Sequence, residues 1–304
     1  MTTQFLNYSA IQPVTNALTI DVEDYYMVSA FADVVKFEDW SKYESRVERN
    51  TIRILDMLDK YNVKATFFVL GWIAQHYPKL VRDIHNRGHE VASHGYNHRL
   101  AYDLSLKEFQ EDTRISKTLI EDIISVPVIG YRAASYSILK QSFWALDILI
   151  EEGFIYDSSI FPIYHDLYGY PEFSRFAVKI YREGVGEIIE APLSTIRVFG
   201  KNIPIAGGGY LRLFPIQFTE WAIQRLNAKE RQPALIYLHP WEIDTEQPRL
   251  NGSRRSVFRQ YINIDTTARK IERILKSLRL GTIQEAFGLT KVYASAPNSA
   301  NYSA

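Results

Sequence analysis

The chain has 304 residues, and its 35 Lys and Arg are balanced by 35 Asp and Glu, so the formal net charge is zero. This balance excludes a strongly basic nucleic-acid-binding protein, because binding to phosphate backbones draws on an excess of Lys and Arg. A hydrophobic content of 46% excludes a disordered chain. The absence of cysteine excludes disulfides, thiolate metal ligands and cysteine nucleophiles.

The sequence shows no pattern typical of a signal peptide or of a membrane-spanning segment. No basic region followed by an apolar stretch opens the chain, and no stretch approaches the ~20 apolar residues of a membrane span. We therefore expect a cytoplasmic protein with no transmembrane segment and no nucleic-acid partner. Residues 1–16 are predicted to be a lead-in, residues 17–290 a single domain with a C-terminal extension from about residue 242, and residues 291–304 a flexible tail.

The first half of the chain alternates short apolar runs with amphipathic stretches, the pattern of a parallel sheet with crossover helices. Strands are predicted at residues 17–21, 64–70, 89–94, 128–131 and 154–157. Helices are predicted at residues 43–60, 78–87, 105–124 and 141–152. Ser105 and Glu108 form the S-x-x-E capping box that opens the third of these helices.

The second half is less regular. Residues 162–209 are rich in aromatic residues, Gly and Pro, with short strand-like runs at 178–181, 187–191 and 195–199, which predicts an elaborated loop region over a barrel mouth. A helix over 215–227 and a strand over 234–239 restore the alternation. A basic, polar stretch over 247–260 is predicted to be a long loop before a helix over 265–278.

Ionisable residues collect at the ends of the predicted strands. They are Asp21 with Glu23 and Asp24, His94 with His98, Arg132, Asp157, and His239. The carboxyl ends of parallel strands face one common mouth. One shared site is therefore favoured over five separate capping, core or surface roles.

Among these residues, His94 and His98 give the most specific indication of a metal site. The H-x-x-x-H spacing places two imidazoles on one side of a helical turn, or at nearby positions in a tight loop. Imidazole together with carboxylate suits a divalent metal ion. The acidic end of the first strand can supply the third ligand.

Five ordered motifs, TIDVED, SHGYNH, YRAAS, YDSS and YLH, resemble those of the polysaccharide deacetylases, carbohydrate esterase family four, also called the NodB homology domain. The resemblance covers residues 17 to 241. TIDVEDYY, GGGYLRLFP at residues 207–215 and LHPWEID at residues 238–244 resemble the subgroup found with exopolysaccharide-synthesis and exosortase loci. The fold implied is α/β, a distorted (β/α) barrel with an incomplete strand count and the site at its C-terminal mouth.

The resemblance also implies a role for each site residue. Asp21 matches the catalytic base, His94 and His98 the metal-binding histidines, Arg132 the arginine that holds Asp21, and Asp157 the carboxylate that tunes the catalytic His239. The family usually has adjacent aspartates where this chain reads Asp-Val-Glu-Asp, so the third metal ligand is either Glu23 or Asp24. The usual Arg-x-Pro-Tyr motif also lacks its Pro here.

These roles imply a metal-dependent hydrolase that removes N-acetyl groups from an N-acetylated polysaccharide or oligosaccharide in exopolysaccharide biosynthesis. Polysaccharide-synthesis machinery would then be a further partner. Zinc is the expected metal, and cobalt, nickel or manganese would also suit the ligand set. Two alternatives remain: an allantoinase-like amidase for a small non-sugar amide, with or without a metal, and an inactive carbohydrate-binding module.

Two further groups of residues have both a functional and a structural interpretation. Trp241 and the cluster of Tyr164, Tyr168 and Tyr170 could stack against sugar rings or pack in the core or rim. The basic stretch with Arg249, Arg254, Arg255 and Arg259 could contact an anionic carrier or glycan, or be a solvated loop.

Overall fold

A computed structural model describes residues 2–5, 13–165, 167–205 and 207–289 of the chain. The tail predicted over residues 291–304 lies outside the described residues, as do residue 1 and residues 6–12 of the predicted lead-in. The described strands are β1 (Thr2–Phe5), β2 (Asn16–Val22), β3 (Thr66–Val69), β4 (Glu90–Ser93), β5 (Gly130–Tyr131), β6 (Tyr156–Asp157), β7 (Val178–Arg182), β8 (Gly186–Glu190), β9 (Thr195–Val198), β10 (Lys201–Pro204), β11 (Leu235–Leu238) and β12 (Leu280–Gly281). The described helices are α1 (Val47–Lys60), α2 (Gly71–His76), α3 (Pro78–Asn86), α4 (Leu106–Ile124), α5 (Trp144–Glu151), α6 (Gly208–Leu213), α7 (Ile216–Arg225), α8 (Arg254–Tyr261), α9 (Ile264–Ser277) and α10 (Ile283–Ala286).

The main sheet is mostly parallel. Its order is β1-β7-β8-β6-β5-β4-β3-β2-β11, with β12 also paired to β2. Every pair from β8 to β11 in this order is parallel, and β7 and β1 add two antiparallel strands at one edge. Among the described residues the strands do not close into a complete ring, which confirms the predicted distorted α/β barrel with an incomplete strand count.

The central strands form because their apolar runs are buried on both sides. All seven residues of β2 and all four of β3 and β11 are buried, as expected where helices cover a parallel sheet. The capping box predicted at the start of α4 is present, with Ser105 and Glu108 each accepting from the other's backbone N–H. Because the central strands run in one direction, their polar carboxyl ends meet at one mouth.

Two predictions for the second half are wrong. The stretch over residues 247–260 is not a continuous loop, because α8 begins at Arg254 after Ser253, whose side chain accepts a hydrogen bond from the backbone of Ser256. The strand-like runs predicted within residues 162–209 are confirmed as β7, β8 and β9, but the region does not form only loops over the mouth. β8 lies in the main sheet beside β6, β7 extends its edge, and β9 and β10 form a separate hairpin.

Among the described helices, none combines the length and the apolar composition that crossing a lipid bilayer would require.

Candidate active site

A cleft of about 440 Å³ opens at the carboxyl ends of the parallel strands. The segment after β2 contributes Asp21 and Glu23, the loop after β4 contributes His94 and His98, and the segment after β11 contributes His239. These five residues, predicted from separate strand ends, therefore share one cavity.

Glu23, His94 and His98 bring their ligand atoms together. One donor atom from each lies within 4.8 Å of those of the other two. The two histidines reach this arrangement through a loop, in which His98 adopts a left-handed backbone with φ of 57°. Nδ1 of His94 donates to the backbone oxygen of Arg132 at 2.7 Å, so its Nε2 lone pair is the one left to bind a ligand.

The chemistry of this group fits a divalent cation. Oε2 of Glu23 is buried, accepts no hydrogen bond from any described residue, and lies 3.0 Å from Nε2 of His98. Burial alone would raise the pKa of Glu23, but the neighbouring charges of His98 and His239 lower it to about 2. Burial lowers the pKa of His94 to about 4. An ionised carboxylate and a neutral imidazole are the protonation states that a metal ion requires.

Asp24, the other candidate for the third ligand, is engaged elsewhere. Its Oδ2 accepts hydrogen bonds from the backbone of Arg46 at 2.7 Å, the backbone of Val47 at 3.0 Å and the hydroxyl of Ser45 at 2.9 Å. These are the free donors at the start of α1. Asp24 thus stabilises a helix N-terminus, and Glu23 is the carboxylate that lies with the histidines.

Arg132 holds Asp21 in one orientation. Its Nη1 lies 2.6 Å from Oδ1 of Asp21 and 2.9 Å from the hydroxyl of Thr19. Its other nitrogens donate to the backbone oxygen and hydroxyl of Ser158, and the guanidinium lies over Phe68 at 4.0 Å. Arg132 is fully buried. With Oδ1 of Asp21 occupied, Oδ2 is left facing the cleft.

His239 lies close to both Asp21 and Glu23 in the cleft. Its Nε2 is 3.4 Å from Oε1 of Glu23 and 3.9 Å from Oδ2 of Asp21. Its Nδ1 lies 2.5 Å from Oε1 of Glu242. Burial alone would lower the pKa of His239, but the charges of Glu23 and Glu242 raise it to about 9. The imidazole is therefore held cationic, as a proton donor must be.

Asp157 does not occupy the position predicted for it. It pairs across the sheet with Glu190 on β8 and accepts from the hydroxyl of Ser159 at 2.5 Å. The carboxylate that contacts His239 is Glu242. We missed Glu242, although the spacing of His239 and Glu242 is that of a capping pair, which the structure forms between them.

Of the aromatic and basic residues with two interpretations in the sequence, some line the cleft and others lie elsewhere. Trp241 is buried and stacks on His239, with ring centroids 5.1 Å apart and planes 17° apart. Tyr168 lines the cleft, whereas Tyr170 packs on Phe143 and Phe173 and Tyr164 is exposed. Arg255 and Arg259 line the cleft, while Arg249 lies over the ring of Tyr261 and Arg254 begins α8.

The polysaccharide deacetylase family model matches residues 34–147, and the domain of unknown function DUF3473 matches residues 158–288. The peptidoglycan-N-acetylglucosamine deacetylase of Bacillus cereus is 33% identical over 79 residues, 26% of this chain and 37% of that protein. The chitooligosaccharide deacetylase of Rhizobium leguminosarum is 35% identical over 99 residues, 33% of this chain and 43% of that protein. The first curated relatives are matched over only 16% to 37% of their length.

A solved structure supports the same assignment at the level of the fold. A crystal structure from Mycobacterium smegmatis, provisionally assigned as a polysaccharide deacetylase, is similar with a TM-score of 0.61 and 20% identity over 97% of both chains. Three findings agree with a polysaccharide deacetylase domain: the mostly parallel sheet, the matched family model and the similar relatives. Residues 34–147 therefore belong to a polysaccharide deacetylase domain of the NodB type, carbohydrate esterase family four.

Proposed function

We propose that this protein is a metal-dependent hydrolase that removes N-acetyl groups from an N-acetylated polysaccharide or oligosaccharide. The observation that carries the proposal is the convergence of three groups on one cleft. These are a ligand set of Glu23, His94 and His98, a carboxylate held by a buried arginine, and a cationic histidine close to that carboxylate.

Glu23, His94 and His98 are proposed to hold the metal ion, with zinc as the first candidate for two imidazoles and one carboxylate. When bound, a divalent ion supplies Lewis acidity toward the acetyl carbonyl and makes a water molecule more acidic. Cobalt, nickel and manganese suit the same ligands.

The proton transfers are assigned to Asp21 and His239. Asp21 accepts a proton from the attacking water through Oδ2, because Arg132 already occupies Oδ1. The water oxygen bonds to the acetyl carbon, the C–N bond breaks, and Nε2 of His239 donates its proton to the leaving nitrogen. The products are acetate and a free amino sugar. Oδ2 and Nε2 are 3.9 Å apart, so the proton on Asp21 then returns to His239 through a bridging water.

The backbone after Arg132 is proposed to contribute to oxyanion stabilisation. Ser135 and Tyr136 both have positive φ, 47° and 55°, and both line the cleft. Two successive non-glycine residues in this region store backbone strain, which is often found where a backbone group must point at a reacting atom. A backbone N–H directed into the cleft would stabilise the developing negative charge.

The test compares three histidine variants for metal content and for acetate release from chitooligosaccharides, peptidoglycan fragments and a partly acetylated exopolysaccharide. His94→Ala should lose both metal and activity, whereas His239→Ala should keep the metal and lose activity. His85→Ala on α3 is the matched control and should retain both. Acetate release by either active-site variant at the rate of the unaltered protein would contradict the proposal.

The exopolysaccharide arm of this screen addresses the finer assignment. The segments at residues 207–215 and 238–244, which resemble the subgroup at exopolysaccharide loci, both contribute residues to the cleft. We therefore propose an exopolysaccharide as the substrate and its synthesis machinery as the partner. A higher rate on peptidoglycan fragments than on every exopolysaccharide would overturn this assignment.

A further inference from the structure

The segment at residues 207–215 reaches the cleft because its glycines allow close contact with β11. Gly207 has φ of 137°, and a Cβ there would lie 1.9 Å from the backbone oxygen of Tyr237. A Cβ on Gly208 would lie 2.7 Å from the ring of the same tyrosine. Only glycine tolerates such an approach. One helical turn later, the segment places Arg212 beside the residues that follow β11.

Arg212 lies in a closed ring of contacts with three of those residues. Its Nη1 is 3.0 Å from Oε2 of Glu242, and Oε1 of the same carboxylate is 2.5 Å from Nδ1 of His239. The guanidinium lies 4.9 Å from the centroid of Trp241, which stacks on His239. Arg212 and Glu242 are both buried.

We infer that Arg212 is a positioning residue for the proposed reaction: it holds Glu242 so that the carboxylate, in contact with Nδ1, fixes the ring orientation of His239. The inference rests on the proposed function. The mechanism above assigns no role to the segment at residues 207–215, and this inference assigns one to its arginine.

The physical reason is the cost of a buried carboxylate. The side chain of Glu242 is fully buried, and such a group needs a cation or several donors to remain in place. Arg212 supplies that cation from the side opposite His239. Without it, Glu242 would turn away or take up a proton, and either change would release His239 from its single orientation.

Orientation matters because Nε2 of His239 must point at the leaving nitrogen. A carboxylate on Nδ1 fixes both the tautomer and the ring plane, so that Nε2 faces the cleft. The stack of Arg212 and His239 on Trp241 restricts rotation of the imidazole further. The arrangement predicts that Arg212 affects the rate of the chemical step more than substrate binding.

The first test observes His239 directly, with no substrate present. Nitrogen-15 NMR of the metal-loaded protein should show His239 protonated on Nδ1, with its resonance assigned by its loss in His239→Gln. Arg212→Leu should shift or broaden the Nδ1 proton signal. Arg273→Leu is the matched control, since Arg273 forms an ion pair with Glu220 outside the cleft, and it should leave the signal unchanged.

The second test is kinetic, on the N-acetylated glycan from which the unaltered protein releases acetate. Arg212→Leu should lower kcat by ~10-fold or more with KM changed less than ~2-fold, and Glu242→Gln should lower kcat by ~100-fold. Arg212→Lys should restore part of the loss. Because both residues act through one contact, Arg212→Leu added to Glu242→Gln should cost less than ~3-fold more.

The outcomes separate this inference from the proposed function. If kcat losses multiply in the double variant, or KM rises while the Nδ1 signal is unchanged, Arg212 binds substrate directly and the inference is wrong. Metal content and thermal unfolding of each variant show whether a loss of kcat reflects misfolding. The double variant leaves neither buried charge without its partner, so it is the variant expected to fold most like the unaltered protein. If the unaltered protein deacetylates no glycan, the proposed function fails, while the NMR comparison still tests the contact.

Discussion

The buried pair of Asp157 and Glu190 makes a specific prediction about stability and pH. The two carboxyl groups lie side by side on β6 and β8, and both residues are fully buried. Burial raises the pKa of Asp157 to about 6 and, together with the charge of Asp157, raises the pKa of Glu190 well above its ordinary value. The pair therefore keeps a proton on Glu190 that the unfolded chain releases near pH 4.5. Glu190→Gln mimics that protonated state, because its amide oxygen can still accept from the backbone of Ile160 and its nitrogen can donate to Asp157.

The sign and size of the effect follow from linkage. A group with a raised pKa in the folded state contributes its full stability below the unfolded pKa and loses it as the pH rises toward the folded value. Above about pH 5, Glu190 of the folded protein retains a proton that Glu190 of the unfolded chain has released. The unaltered protein should therefore lose stability relative to Glu190→Gln as the pH rises above 5, with a limiting slope of roughly 1.4 kcal/mol per pH unit.

Urea unfolding followed by tryptophan fluorescence at pH 5, 6, 7 and 8 measures this difference. Comparing the two proteins at each pH cancels the contributions of all other titrating groups. Glu187→Gln, which changes an exposed residue of the same strand that pairs with Lys179, should show no such trend. A stability difference between Glu190→Gln and the unaltered protein that stays constant from pH 5 to pH 8 would refute the shared-proton interpretation.

Four other substitutions test the remaining parts of the site and one contact that supports it. Glu23→Gln should weaken zinc binding by at least ~10-fold in a chelator competition, because an amide is a poorer ligand than a carboxylate. Asp24→Asn should leave zinc binding unchanged and lower the free energy of unfolding by ~1 kcal/mol, the usual size of a lost helix cap; zinc loss in this variant instead would reverse the two assignments. Arg132→Lys should keep the metal content but lower kcat by ~10-fold or more, since an ammonium cannot reproduce the planar array of donors. Gly207→Ala should destabilise the fold by at least ~2 kcal/mol in urea unfolding, because its Cβ would overlap a backbone oxygen, and unchanged stability would contradict the close approach.

Local sequence patterns were sufficient for the parallel part of the fold. Apolar runs of strand length, each followed by a polar residue, predict where β2, β4 and β11 end, and strand direction brings those ends to one mouth. The grouping of His94 and His98 with the acidic end of β2 follows from this rule alone. The capping box of α4 can likewise be predicted from residues that are close in the sequence.

Contacts between distant segments could not be predicted in this way. Whether Glu23 or Asp24 faces the histidines depends on where the start of α1 packs, because its free N–H groups attract one of the two carboxylates. The start of α8 was missed because the basic stretch around Ser253 carries no apolar periodicity strong enough to mark a helix.

The partner of His239 shows the limit most clearly. Asp157 stands at a strand end, as the family pattern suggests, yet β8 pairs with β6 and draws Asp157 toward Glu190. Glu242, three residues after His239 and itself in contact with the distant Arg212, takes its place at His239. Strand order and helix packing determine which of several similar carboxylates contacts His239. The reason is that a buried charge is stable only where a cation or hydrogen-bond donor from another part of the chain contacts it.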